Sequence, residues 1–151
     1  MKTNLRILTM AAALCVGLFT TSAADKHDHP HMATPKGGRL LDKTEPKAEF
    51  HLEKDHTATV TFYDNALNPL PATTQSVTVI AEANGGKKTV EFEKKGDVLV
   101  SSSKLPEGDG YNVVVQFRQT ADAKPQNFRF KLETYECGGC KRAEYACTCD
   151  E

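Results

Sequence analysis

From Gly38 to Leu132 the chain alternates apolar and polar side chains in short runs. Thr57–Tyr63 puts Ala58, Val60 and Phe62 on one face, and Ser76–Glu82 repeats the pattern with Val77 and Val79. Thr89–Glu93 and Asp97–Ser101 are shorter runs split by Lys94-Lys95-Gly96. Tyr111–Arg118 places Val113, Val115 and Phe117 inward, and Asn127–Leu132 does the same with Phe128, Phe130 and Leu132. Gly38–Leu41 and Ala48–Leu52 add strands at the start. A period of two, carried by β-branched and aromatic residues and broken by Gly, Pro and Asn, predicts antiparallel sheet. No stretch shows a 3.6-residue period. The expectation is an all-β, antiparallel, immunoglobulin-like sandwich of about seven or eight strands. Leu105–Tyr111 reads as a turn before a long central strand, with Tyr111 placed to cap the corner through its hydroxyl.

The ends of the chain break this pattern. Lys2 and Arg6 precede an apolar run from Ile7 to Phe19, then small residues to Ala24 and an abrupt polar turn at Asp25. That is the layout of a secretory signal peptide with an A-x-A-like cleavage site after Ala24. The run is shorter than the ~20 apolar residues a membrane span needs. Cleavage would remove Cys15, whose neighbour Leu14 does not suit a lipid-anchoring site, and leave 127 of the 151 residues. The expected organisation is a signal peptide at 1–24, a His-rich flexible arm at 25–36, a sandwich at 37–133 and a Cys-rich tail at 134–151.

The expected mature chain carries 17 Lys and Arg against 20 Asp and Glu. Such a mild, mixed charge does not suggest nucleic acid as a partner, and no second apolar stretch is long enough for a membrane span. The protein is expected to be periplasmic or secreted. Catalytic signals are missing: no Ser-His-Asp arrangement is supported, and Gly85-Gly86 reads as a hairpin rather than a phosphate loop. A non-enzymatic protein is expected.

The candidate chemistry lies at the two ends. The tail carries Cys137-Gly-Gly-Cys140 and Cys147-Thr-Cys149, four thiols in thirteen residues. Four thiolates suit zinc or Cu(I), and the glycine pair lets the first turn fold back so that both sulfurs face one ion. An exported protein meets an oxidising environment, so two structural disulfides are the competing reading. Four cysteines allow three pairings, and bridging across the two motifs avoids the strain of a direct Cys147–Cys149 link. Redox activity at the Cys-x-x-Cys is a third option, although no strand-to-helix context surrounds it. The arm offers His27, His29 and His31 with Met32 adjacent. Cleavage after Ala24 would also make Asp25-Lys26-His27 the new terminus. Its amine, two backbone amides and third-position imidazole form a square-planar nitrogen site for Cu(II) or Ni(II), resembling the amino-terminal metal-binding motif of serum albumins. His51 and His56 are weaker candidates that could join the arm's site if the arm folds back.

Pro35-Lys-Gly-Gly-Arg-Leu-Leu41 after a histidine-rich arm, followed by Ala48-Glu-Phe50, resembles the small N-terminal β-domain of cobalt–zinc–cadmium-type heavy-metal efflux adaptor proteins. The resemblance covers at most residues 27–118. The middle and the tail, Cys140–Cys149 above all, are similar to uncharacterised small exported bacterial proteins with a cysteine-rich tail. The adaptors' helical hairpin and barrel domains have no counterpart in this sequence. The resemblance therefore implies a free-standing periplasmic module that binds or buffers zinc or copper, with metal-efflux components as partners. The alternative is an envelope interaction module whose tail is closed by disulfides.

Overall fold

The computed structural model describes residues 32–149 and contains nine strands, all paired antiparallel. They are β1 (Arg39–Leu41), β2 (Lys47–Leu52), β3 (Ala58–Tyr63), β4 (Pro69–Leu70), β5 (Ser76–Ala83), β6 (Gly86–Lys95), β7 (Val98–Ser101), β8 (Tyr111–Arg118) and β9 (Gln126–Leu132). Eight form one path in the order β1-β2-β3-β7-β6-β5-β8-β9, and β4 pairs with β3 beside it. β6 serves two partners, since Gly86–Glu91 pairs with β5 while Phe92–Lys95 pairs with β7. The sheet thus folds over at β6 into a two-layer antiparallel sandwich that nearly closes as a barrel.

The alternation read from the sequence is what fills the space between layers. Phe50, Val60 and Phe62 from one layer meet Val77, Val79, Val113, Val115 and Phe117 from the other, all essentially inaccessible to solvent. The rings of Phe62 and Phe117 lie 6.1 Å apart across the interface. Each such side chain contributes about 1.5–3 kcal/mol relative to exposure. Asn84 and Gly85, both at positive φ, make the tight β5–β6 hairpin that Gly85-Gly86 suggested. The Tyr111 hydroxyl donates to the Pro106 carbonyl at 2.9 Å, capping the turn as expected. The added strand, β4, has two residues and no period to read. Phe128 and Phe130 face inward as expected but stay only half-buried, because β9 ends the path and its face is covered only in part.

The Gly37-Gly38-Arg39 stretch has a structural explanation. Gly37 holds φ at +82°, and a side chain on Gly38 would collide with the Phe50 carbonyl. That close approach lets the loop lie over Glu49, whose buried carboxylate accepts from Gly38 N at 2.6 Å, Lys36 N at 3.3 Å and the Tyr63 hydroxyl at 2.7 Å. A buried polar group is tolerated only when it is hydrogen-bonded in this way. The loop delivers Arg39 to the gap between the first and last strands, where its guanidinium sits 4.9 Å from the centre of the Phe130 ring. Among the described residues no helix is long and apolar enough to cross a membrane.

Candidate metal centre

After β9 the chain is held by Asp109, which accepts from both the amide and the hydroxyl of Thr134. It then makes a miniature hairpin. Glu136 pairs with Ala143, Cys137 N donates to Arg142 O at 2.7 Å, and Lys141 N donates to Cys137 O at 3.1 Å. Lys141 closes the loop at a φ of +61°. A single 3-10 turn, Glu144–Ala146, brings the chain back so that Cys147 and Cys149 lie against this loop.

The result is one cluster of sulfurs. Cys137 Sγ lies 3.2 Å from Cys147 Sγ and 3.8 Å from Cys149 Sγ, and Cys140 Sγ lies 3.7 Å from Cys147 Sγ. All four sulfurs fall within 4.8 Å of one another. A zinc–sulfur bond of about 2.3 Å implies tetrahedron edges of about 3.8 Å. Of the six separations two match that edge, the shortest needs to open by roughly half an ångström, and the rest stay within 4.8 Å. Disulfides would instead sort the sulfurs into two isolated pairs, whereas here Cys137 and Cys147 each have two sulfur neighbours. The donor set and its spacing therefore fit a tetrahedral soft-ligand site, held by Cys137, Cys140, Cys147 and Cys149. A Cβ at Gly139 would meet Cys149 Sγ at 2.6 Å and displace that sulfur, while Gly138 faces open space.

Backbone amides prepare the sulfurs for charge. N–H groups of Thr148 and Arg142 point at Cys140 and hold its thiol down at about 6. The Cys149 amide also donates to Cys147 Sγ, at 3.4 Å. That donor lowers the Cys147 thiol, but burial and the sulfurs of Cys137, Cys140 and Cys149 outweigh it and push Cys147 up to about 12. Cys149 is drawn down by Cys147 and up by Cys140 and Cys137, with an upward balance. Four adjacent thiols cannot all ionise unless a cation joins them.

The tail is not a loose end. Tyr145 is buried at 4% exposure between the two ends of the strand path. Its ring stacks on Phe130 of β9 at 6.2 Å and meets Phe50 of β2 edge-on at 6.2 Å. Its hydroxyl accepts from Leu52 N at 3.1 Å, and its carbonyl accepts from Arg39 at 3.0 Å. Arg142 reaches the other way, donating to the Thr34 carbonyl at 3.0 Å. The sulfur cluster and the closure of the sandwich thus share one short segment.

The structure brings together the four cysteines that the sequence singled out. Among the described residues they are the one group of His, Cys, Asp and Glu ligands close enough to share an ion. Asp25, His27, His29 and His31 lie outside the described residues. His51 and His56 line a cavity of about 500 Å3 beside the cysteine loop, together with Gly37, Glu53, Lys141 and Arg142. Sequence reasoning missed Tyr145, Arg142, Thr34 and Glu49. The one available signal was a lone aromatic, Tyr145, in the spacer between the two cysteine pairs. No family model matches this chain, and no curated protein or solved structure matches it either.

Proposed function

We propose that this is an exported, non-enzymatic protein that binds a transition metal through its cysteine tail, with zinc the best fit and Cu(I) its competitor. The observation that carries the reading is the single cluster of four sulfurs, all within 4.8 Å of one another. Four protein sulfurs leave no open coordination position, which suits holding an ion rather than activating water. The signal-like residues 1–24 support export. The Gly-Gly-Arg resemblance supports a periplasmic role in metal buffering, delivery or resistance beside efflux components. Zinc bound here would bring about tetrahedral cross-linking of the tail, and the amides of Thr148 and Arg142 would share in offsetting the excess negative charge of four thiolates.

A second reading has one observation in its favour. Cys137 and Cys147, at 3.2 Å, are the pair nearest to bonding, and oxidation there would convert the tail into a disulfide clasp of an interaction module. Metal analysis after gel filtration separates the two readings. The proposal expects one zinc per chain, retained without added metal and absent from a Cys137→Ser/Cys140→Ser variant. Zinc-free protein that cannot be loaded after reduction would end the metal reading.

A further inference from the structure

We infer that the cavity between the β2–β3 turn and the cysteine loop binds a small organic carboxylate with an apolar body, in a manner coupled to metal on the four cysteines. The pocket stands on its own geometry, and only the coupling rests on the metal reading of the tail. One wall is the β2–β3 turn, which is firmly built. Glu53 N donates to Thr57 O at 2.8 Å, and the Asp55 carboxylate accepts from the amide and the hydroxyl of Thr57, each at 3.0 Å. His56 turns the chain at a φ of +66°, and its carbonyl accepts from Leu105 N at 2.8 Å. The opposite wall is Lys141-Arg142-Ala143, with Tyr145 beside it. The space enclosed, about 500 Å3, falls within the roughly 300–1,000 Å3 of small-molecule sites.

The lining is graded from apolar to charged. Leu52, Ala143 and Tyr145 give half-buried or buried apolar surface, whereas Lys54 and Lys141 are exposed. Lys54, Lys141 and Arg142 together outnumber the one lining carboxylate, Glu53. Glu53 is already engaged, accepting from the Thr59 hydroxyl at 3.4 Å and lying 3.8 Å from His51 Nε2. Lys141 lies 3.4 Å from Glu136, but both side chains are largely exposed, so that pair holds it weakly. Arg142 gives two N–H groups to Thr34, and a guanidinium has three more. His51 and His56 each bury an Nδ1 that has no hydrogen-bond partner among the described residues. No bond at that atom is therefore lost when either ring turns toward a ligand oxygen. The positive excess draws an anion, and the apolar lining selects one with a carbon body over inorganic phosphate. The coupling follows from the chain: residues 141–143 lie between Cys140 and Cys147, and Cys137 N donates to Arg142 O at 2.7 Å. An ion that fixes the sulfurs also fixes this wall, and a ligand on the wall favours the metal-bound loop by the same factor.

The probe is 4-phenylbutyrate, followed through the ring-proton NMR signals of His51 and His56 in the full chain. It should shift both saturably in zinc-loaded protein, with 4-phenylbutanol and inorganic phosphate binding at least about tenfold more weakly. Lys54→Glu, outside the cysteine loop, should weaken the carboxylate about tenfold and leave zinc content unchanged. Reduced, chelator-stripped protein should bind it about fivefold or more weakly than the zinc-loaded form. Absence of saturable shifts would overturn the pocket, and so would equal binding of the alcohol or of phosphate. Unchanged affinity in Lys54→Glu would overturn it too. Equal affinity with and without zinc would overturn the coupling. A chain that takes up no zinc would end the metal reading and the coupling together, while the histidine shifts still decide the pocket.

Discussion

The sandwich body and the cysteine tail touch along Tyr145, yet they are held by different physics. The body is a shared apolar core: Phe50, Phe62, Val79, Val115, Phe117 and their neighbours all bury apolar surface in one cluster. The tail sends Tyr145 and Ala146 into the core, with Ala143 packed against it, leaves Tyr135 exposed, and is otherwise glycine, polar residues and sulfur. So small a loop cannot bury enough surface to order itself, and a bound ion or covalent links supply what apolar packing does not. The two glycine pairs show the same contrast. At Gly38 a backbone carbonyl leaves no room for a side chain, whereas at Gly139 it is a cysteine sulfur that stands in the way.

This contrast can be broken most forcefully at the sulfurs. Replacing Cys137 and Cys140 by serine should weaken zinc binding by more than about a thousandfold, given the 10–16 kcal/mol typical of structural zinc. The far-ultraviolet circular dichroism of the sandwich should be retained. Loss of the β signal together with the metal would show that body and tail are one cooperative unit. The joint between the regions comes next. Tyr145→Ala removes a ring stacked on Phe130 and edge-on to Phe50 and should cost about 3–5 kcal/mol in denaturant unfolding. Tyr145→Phe keeps the ring, leaves Leu52 N without its acceptor and should cost about 1–3 kcal/mol.

Proton competition has a definite sign. Zinc takes thiolates, and the Cys147 and Cys149 thiols lie above their ordinary range, so both are protonated near neutrality. Apparent affinity should fall about tenfold per thiol for each unit the pH drops, hence about a hundredfold per unit from these two. It should fall more steeply below about 6, where Cys140 also protonates. Competition titrations against a chelator between pH 6 and 8 read that slope. A flat profile would mean that the sulfurs are not the ligands.

A smaller effect is expected at the glycines. Gly139→Ala should lower zinc affinity roughly ten- to a hundredfold, the 1–3 kcal/mol of a forced overlap. Gly138→Ala, which meets nothing within 4 Å, should change little. Equal effects at the two positions would say that the loop needs flexibility rather than room. In the body, Glu49→Gln weakens the acceptor of two amides and the Tyr63 hydroxyl and should cost about 1–3 kcal/mol without touching zinc affinity.

The strands were legible because period-two alternation is a local consequence of lying between a core and another surface, as in Val113, Val115 and Phe117. The cysteine cluster was legible from the spacing of its two pairs. What depends on contacts distant in sequence was not. Glu49 occupies the outward position between Ala48 and Phe50, and nothing local shows that the Thr34–Gly38 loop will cover it. Arg39 meets the Tyr145 carbonyl across 106 positions, and Leu52 meets its hydroxyl across 93. The tail therefore reads as a separate end in the sequence, while in space it closes the gap between the first and last strands.

The central claim is that the four tail cysteines form one metal-holding cluster. Native mass spectrometry tests it most directly, on the full chain purified without reductant or chelator and then alkylated before and after metal removal. The account predicts one zinc per chain, protected tail thiols while it is bound, and four alkylated tail cysteines once it is stripped. A metal-free chain lighter by four hydrogens, with no alkylation of the tail under either condition, would contradict it.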